Sequence, residues 1–168
     1  MPISSHLASV RAKVGHDLLT LTAASISVFN PEGRLLLGKD AETSFWMLPG
    51  GVIDPDELPS NAAVRECWEE TGLHVEINRL IGVFGGPEFR IHYPNGDHAY
   101  YTSIAFEARI IGGEVKPDGS EIESLRYFSS SECADLNLAP SSRIISACAF
   151  RHRPEPYFAA PTWSPPQV

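Results

Sequence analysis

Alternation of apolar and polar positions divides this chain into a mixture of strands and helices. Stretches rich in apolar and β-branched residues predict strands within residues 18–30, 74–86, 88–113 and 124–129. The helical spacing of Leu7, Val10 and Val14 predicts an N-terminal helix that ends at Gly15. The order of these elements favours an α+β fold with few helices.

Turn residues suggest how the strands connect. Residues 31–33 (Pro-Glu-Gly) follow one apolar stretch and precede another, which predicts a hairpin between residues 18–30 and 34–39. Residues 94–97 (Pro-Asn-Gly-Asp) carry the strongest short hairpin signal in the chain. Residues 44–51 (SFWMLPGG) are expected to form one short strand that Pro49 ends.

The end of the chain changes character after residue 150. Residues 130–136 and 141–150 are expected to form closing helices, the second with a serine cap. The segment 151–168 is rich in proline and cannot form a regular helix or a central strand. We therefore expect one domain over residues 1–150 and a Pro-rich tail over 151–168 that is partly ordered.

Composition narrows the class of protein. With 168 residues and a formal net charge of −8, the chain suits one acidic domain and lacks the basic surface typical of nucleic-acid binding. Its three cysteines are far apart and show no zinc or disulfide spacing. No signal peptide or membrane-spanning stretch is visible, so we expect a cytoplasmic protein with no membrane partner.

Three acids lie close together in a predicted helix. If Ser60 is the N-cap, then Glu66, Glu69 and Glu70 fall on one stripe, at i, i+3 and i+4. The opposite face, expected to point into the core, contains Val64, Cys67, Trp68 and Thr71. A solvated helix face is the ordinary explanation for such charges. Because like charges at this spacing repel, a shared Mg²⁺ ion, or Mn²⁺, explains them better.

The loop before this helix fits the same interpretation. Gly50 and Gly51 allow the backbone to approach a ligand closely. A fold-back of the loop would pair Glu57 with Arg65 and orient the acidic stripe. Arg65 could also pair with Glu69 one turn further along the helix, and the two pairings are compatible.

From Gly51 to Leu73 the sequence resembles the Nudix box, G-x5-E-x7-R-E-U-x-E-E-x-G-U, where U is aliphatic. The matching positions are Gly51, Glu57, Arg65, Glu66, Glu69, Glu70, Gly72 and Leu73. Cys67 occupies the first U position, and this departure affects packing more than chemistry. The similarity extends over roughly Leu18 to Phe128 and implies a Nudix-type α/β/α sandwich with a mixed sheet and the Nudix loop-helix.

The resemblance also implies an activity, which is Mg²⁺-dependent hydrolysis of a diphosphate linked to a nucleoside or similar group. Glu66, Glu69 and Glu70 would bind metal, with the Gly50 carbonyl as a further ligand, and Glu57 and Arg65 would form a structural pair. Glu121 lies where some members place another acid, and Glu123 is a weaker candidate. The general base would be Glu66 or Glu121, and the sequence leaves this choice open.

Residues on or beside the predicted hairpin are candidates for substrate contacts. They are Phe89, Arg90, His92, Tyr100 and Tyr101. Each could instead alternate between core and surface along a strand. An ADP-ribose or nucleotide-sugar type of substrate is favoured, and a MutT-like nucleoside triphosphate pyrophosphohydrolase is the first alternative.

Two other classes are weighed against hydrolysis. A non-catalytic Nudix-fold nucleotide sensor would typically lose acids of the box, whereas this chain keeps all of them. An isomerase on the same fold would need a thiol facing the substrate, and Cys67 is predicted to face the core. Nudix domains often form homodimers, and nothing in the sequence decides this point.

Overall fold

The computed structural model describes residues 4–165, which form two β-sheets covered by helices. The four helices are α1 (Ser5–Val14), α2 (Pro59–Thr71), α3 (Ser130–Asp135) and α4 (Pro140–Ala149), and a short 3₁₀ helix spans Pro87–Phe89. The eight strands are β1 (Leu19–Val28), β2 (Leu35–Asp40), β3 (Trp46–Met47), β4 (Gly50–Val52), β5 (Leu73–Phe84), β6 (Arg90–His92), β7 (His98–Gly113) and β8 (Ile122–Phe128).

The larger sheet has the order β4-β1-β7-β5, with β6 paired to β7. The pair β1·β7 is parallel, whereas β4, β5 and β6 pair antiparallel with their neighbours, so the sheet is mixed as predicted. The smaller sheet has the order β3-β2-β8 and is antiparallel. None of the helices between residues 4 and 165 has the length and apolar character needed to span a membrane.

Strand β2 shows how the layers are held together. Leu35 and Leu37 pack in a cluster that includes Ile145 of α4, whereas Leu36 packs in a second cluster that includes Cys67 of α2. Because successive side chains of a strand point to opposite faces, one leucine-rich strand supplies both cores. The β layer therefore lies between α2 on one face and α4 on the other, which confirms the predicted α/β/α arrangement.

The predicted hairpin over residues 18–39 is wrong. Residues 30–34 do form a turn, and Phe29 bridges Leu35, but β1 then continues in the larger sheet while β2 joins the smaller one. Burial on both faces explains this outcome, because β1 is buried from Ala24 to Val28 and finds a parallel partner in β7. The hairpin at Tyr93–Asp97, by contrast, is confirmed by the pairing of His92 with His98.

Two predicted helix starts are also corrected. Helix α2 begins at Pro59 with Leu58 as its N-cap, so Ser60 lies inside the helix instead of capping it. Helix α4 likewise begins at Pro140, without a serine cap. Proline suits the first helical position because the N–H that it lacks would have no helical acceptor there. The predicted C-cap of α2 is confirmed, since Gly72 adopts the left-handed conformation at φ 71°.

The short segment before α2 is two strands instead of one. Pro49 separates β3 from β4, and the two strands belong to different sheets. Gly50 and Gly51, expected in a loop, pair with Ser25 and Ala24 of β1. This pairing fixes the glycines against the sheet directly beside the acidic end of α2.

Candidate functional site

Helix α2 carries two of its acids into a buried position. Glu66 and Glu70 are only 6% and 3% exposed, while Glu69 is exposed. Glu66 and Glu70 therefore lie at the boundary between the helix and β4, and of the three acids only Glu69 faces solvent. Trp68, expected in the core, is 54% exposed instead, and the core side of α2 is formed by smaller residues such as Ala62, Ala63 and Cys67.

Glu70 is the most enclosed acid of the group. Its Oε2 accepts a hydrogen bond from the N–H of Gly50 at 3.0 Å. Burial raises the pKa of Glu70 well above its usual value, against the effect of this hydrogen bond, and the charges of Glu66, Glu121 and Asp118 raise it further. Four carboxyl groups thus influence one another in one place, which is an arrangement typical of functional sites.

Glu66 is held from both sides. Burial raises its pKa, and the hydrogen bond from Arg65 Nη1 to Oε1, at 2.8 Å, opposes this shift. On the other side the carboxylate lies against the backbone, where a Cβ on Gly51 would be 2.6 Å from Cδ of Glu66. Only glycine fits at position 51 without displacing the carboxylate.

Arg65 joins the loop to the acidic end of the helix. Its Nε and Nη2 donate to the two carboxylate oxygens of Glu57, each at 2.9 Å, so the predicted pair is present. Nη1 also donates to Glu69 at 3.2 Å, which means that both pairings considered from the sequence occur together. The hydrogen bonds from Arg65 lower the pKa of Glu57. Oε2 of Glu57 also accepts a hydrogen bond from the N–H of Asp54.

Glu121 approaches the same place from the turn before β8. The turn is organised by Asp118, whose carboxylate accepts the N–H groups of Ser120, Glu121 and Ile122 at 2.8–3.1 Å. Burial raises the pKa of Glu121, and the acids Asp118 and Glu69 contribute to the same shift. Glu123, the weaker candidate, instead pairs with Lys39 at 2.9 Å.

These acids line a cavity of about 520 Å³. Its walls are formed by Ser4, Leu7, Val52, Asp54, Arg65, Glu66, Trp68, Glu69, Glu70, Asp118 and Glu121. A second cavity of about 230 Å³ shares Glu70 and Glu121 with it and adds Tyr93 and Tyr101, whose hydroxyls are 2.8 Å apart. The sequence analysis missed Asp118, although Asp-Gly-Ser at 118–120 is typical of an Asx turn.

The predicted substrate residues have different surroundings. Phe89 is buried and lines a third cavity of about 140 Å³ together with Tyr93 and Tyr101. Tyr100 is half-buried, and its hydroxyl accepts the N–H of Gly86 at 3.0 Å. Arg90 and His92 are exposed on β6, and neither lines these three cavities.

The donor chemistry of the site suits a hard divalent cation, because carboxylate oxygens are the ligands that Mg²⁺ and Mn²⁺ prefer. Among residues 4–165, however, no three His, Cys, Asp or Glu side chains are arranged closely enough to hold a metal ion as they stand. Arg65 accounts for part of this, since it engages both Glu66 and Glu69. The carboxylates are gathered at the site without forming a ready coordination shell.

The close packing of Gly51 gives a testable expectation. We expect Gly51→Ala to lower kcat/KM by up to about 10²-fold, because a displacement of Glu66 by about 1 Å disturbs the alignment of reacting groups. Gly112→Ala is the matched control, since its Cβ would meet only His74 Cβ, at an ordinary 3.8 Å. Steady-state kinetics of the two variants checks this, and equal losses in both would contradict it.

Comparison with known proteins identifies the family. Residues 19–147, more than half of the chain, match the NUDIX domain. This chain therefore belongs to the Nudix family, as its resemblance implied.

Several relatives show how far the similarity reaches. An ADP-ribose pyrophosphatase of Methanocaldococcus jannaschii is 33% identical over 116 residues, which is 67% of this chain and 61% of that protein. A Bacillus subtilis (strain 168) protein, provisionally assigned as an 8-oxo-dGTP diphosphatase, is 36% identical over 106 residues, 63% of this chain and 64% of the relative. The chain thus matches less than two thirds of the length of either relative.

Solved structures agree on the fold. A UDP-X diphosphatase structure superposes with a TM-score of 0.64 at 21% identity, covering 88% of this chain and 71% of that one. The MutT protein of Methanosarcina mazei Go1 has the same TM-score and identity, covering 80% of this chain and 95% of its own. At this level of identity the likeness concerns the fold alone.

Proposed function

We propose that this protein is a hydrolase that cleaves the diphosphate linkage of a nucleoside diphosphate derivative with the help of a divalent cation. The observation that carries the proposal is the buried acid pair, Glu66 and Glu70, in the wall of a cavity that Glu121 also lines. A buried carboxylate is costly unless a cation or hydrogen bonds compensate it. The acids are therefore placed where a positive ion and an anionic substrate would meet.

Nudix hydrolases generally use divalent metal ions. We propose Mg²⁺, with Mn²⁺ as the alternative, held by Glu66, Glu69 and Glu70, with the Gly50 carbonyl as a further ligand. When bound, the ion would neutralise charge on the diphosphate and acidify a water molecule. The pairing of Glu57 with Arg65 supports this by fixing the loop that follows β4 against α2.

Either Glu66 or Glu121 would accept the proton of the attacking water. Burial raises the pKa of both carboxyls, which brings them nearer to the range useful for proton transfer at neutral pH. Oε1 of Glu66 is engaged by Arg65 Nη1, which makes that oxygen less basic. Gln substitutions at each position, compared in their pH–rate profiles, would assign the role.

The shape of the site supports a nucleoside on one side of the diphosphate. The cavity lined by Tyr93 and Tyr101 offers aromatic rings and a hydroxyl pair next to the acids. In a pair of hydroxyls at 2.8 Å one O–H donates to the other, so one O–H remains to donate elsewhere. An ADP-ribose or nucleotide-sugar substrate is favoured, in line with the activity that the Methanocaldococcus relative is named for.

A MutT-like activity on nucleoside triphosphates is the second candidate, and the name of the Bacillus relative favours it. The two activities differ in what lies beyond the diphosphate. A sugar diphosphate has a nucleoside on one side of the diphosphate and a sugar on the other, whereas a triphosphate has only phosphate on the side away from the nucleoside. The substrate panel described next separates them.

The test is Mg²⁺-dependent turnover of ADP-ribose, UDP-glucose, a dinucleoside polyphosphate and the common and oxidised nucleoside triphosphates. We expect one sugar diphosphate to be preferred and chelation with EDTA to abolish its hydrolysis. Glu76→Gln is the matched control for changes at the acids, because Glu76 is exposed on β5 and pairs with Arg109 outside the site. Preference for a triphosphate would select the second candidate, and nucleotide binding without turnover would favour a sensor.

A further inference from the structure

Helix α1 forms part of the wall of the proposed site although it precedes the family region at residues 19–147. Ser4 and Leu7 line the cavity of about 520 Å³ together with the acids of α2. Leu7 and Arg11 also line the cavity of about 230 Å³ that contains Tyr93 and Tyr101. One face of this short helix therefore faces both the diphosphate position and the nucleoside position proposed above.

Apolar contacts hold α1 only weakly. Leu7 is its one buried residue among the ten from Ser5 to Val14. Val14 is 38% exposed, although its spacing predicted an apolar face. Burying a single leucine contributes only about 2 kcal/mol, so packing alone is a modest anchor for the helix.

Arg11 supplies the main polar attachment. Its Nη1 donates to the carbonyls of Gly15 and Asp17, at 3.2 and 2.7 Å, and its Nη2 donates to the carbonyl of His98 at 2.8 Å. The side chain itself is 11% exposed, and the carbonyls that it contacts belong to exposed residues. A guanidinium can make these contacts together because its N–H groups diverge in a fixed plane.

The same attachment reaches the hairpin between β6 and β7. Asp97 lies 3.6 Å from Arg11 Nε and 2.7 Å from His16 Nδ1. Tyr93, Asn95 and Asp97 of this hairpin line the second cavity as well. Arg11 therefore joins two elements that line this cavity, α1 and the hairpin, and His16 reinforces the connection from just beyond the helix.

We propose that α1 is a specificity element of the site, with Leu7 contacting the substrate away from the reacting phosphorus and Arg11 acting as the positioning residue. This inference rests on the proposed function. Contacts remote from the chemistry that are equal in the ground and transition states change KM and leave kcat unaltered. Variants of α1 are thus expected to change mainly KM, whereas variants of the acids are expected to change mainly kcat.

The test measures kcat and KM for Leu7→Ala, Arg11→Ala, Arg11→Lys and Lys13→Ala with the best substrate of the panel. We expect KM to rise about 10-fold in Leu7→Ala, the scale for losing a small apolar contact, and at least as much in Arg11→Ala, with kcat within about twofold. Arg11→Lys is expected to behave like Arg11→Ala, since an ammonium group does not reproduce the several N–H donors of the planar guanidinium. Lys13→Ala is the matched control, because Lys13 lies on the same helix and lines neither cavity.

Hydrogen exchange gives a readout independent of turnover. In Arg11→Ala, amides of residues 5–17 are expected to exchange faster, while those of α2 keep their protection and the thermal midpoint shows that the protein remains folded. A loss of kcat at constant KM, an equal rise of KM in Lys13→Ala, or unchanged exchange in residues 5–17 would overturn the proposal.

A failure of this inference can be distinguished from a failure of the proposed function. If wild type hydrolyses nothing in the panel, the hydrolase proposal fails, and calorimetric binding of ADP-ribose in the presence of Mg²⁺ becomes the criterion for α1. Weaker binding by Leu7→Ala and Arg11→Ala than by Lys13→Ala would then support the role of α1. Equal binding by all of them, or no binding by wild type, would reject it.

Discussion

Glu70→Gln is expected to lower kcat roughly 10³-fold, which corresponds to about 4 kcal/mol of transition-state stabilisation. Glu70 is the most buried acid of the site, and its carboxylate accepts a hydrogen bond from the N–H of Gly50. The carboxylate is therefore fixed beside the position proposed for the metal ion. Glutamine has nearly the same shape and keeps an oxygen for that N–H, but it is neutral and a poor ligand for Mg²⁺. The change therefore removes charge and leaves the packing intact.

The stability of this variant makes the test specific. Because burial raises the pKa of Glu70, the charged carboxylate is disfavoured in the fold, and removing it is expected to leave the thermal midpoint unchanged or raised. Kinetics with Mg²⁺ and thermal unfolding with EDTA measure the two effects, with Glu76→Gln as control. Activity within tenfold of wild type would exclude Glu70 from the metal site, and a lower midpoint would assign it a structural role.

Arg65→Ala is expected to damage stability and activity together. The guanidinium donates to Glu57, Glu66 and Glu69, and also to the carbonyl of Val52 at 3.3 Å. Its removal leaves the nearly buried Glu66 without this partner, and breaking such a pair costs about 3 kcal/mol. Strand β4 and the loop after it also lose their attachment to α2, so kcat/KM is expected to fall by about 10²-fold.

A double-mutant cycle isolates the part that belongs to the loop. Glu57→Gln removes the charge of the partner, and Arg65→Lys keeps a charge without the paired geometry that gives two contacts of 2.9 Å. Urea unfolding of the single and double variants is expected to give a coupling free energy of at least about 1 kcal/mol between positions 57 and 65. Additive effects would show that Glu57 and Arg65 act separately.

Local patterns predicted the elements that form from neighbouring residues. The stop of α2 at Gly72 follows from local backbone preferences, and so does the hairpin at Asn95-Gly96. The pairing of Glu57 with Arg65 was predictable because both residues belong to one short loop-helix unit. The family resemblance supplied the expected roles of the acids, which remain predictions for Glu66, Glu69, Glu70 and Glu121.

Patterns could not predict partners that are distant in sequence. A turn at residues 30–34 normally indicates a hairpin, yet β1 pairs with β7 because its inner half is buried on both faces. Trp68 was placed in the core from helical periodicity alone, although the small residues of α2 already fill the space against the sheet. Tertiary packing overrode the local signal in both cases.

The surroundings of the site show the same limit. Arg11 and His16 join the N-terminal segment to the 93–98 region, and nothing in the sequence of residues 4–16 indicates where that helix lies. Its weak amphipathic pattern predicted a helix without predicting a partner. Asp118 could have been recognised as a turn residue, but its position beside Glu121 required the fold.

The parallel pairing of β1 with β7 also bears on how the chain reaches its native state. Leu19 pairs with Ala99 and Val28 with Ala108, so the centre of the larger sheet joins segments about 80 residues apart in the sequence. Contacts between residues so far apart in the sequence form slowly, because a long loop must be closed before any of them forms. During synthesis, a ribosome-bound chain that ends before β7 exposes the apolar residues of β1 without a partner, and it is at this stage that the protein would be most prone to aggregation.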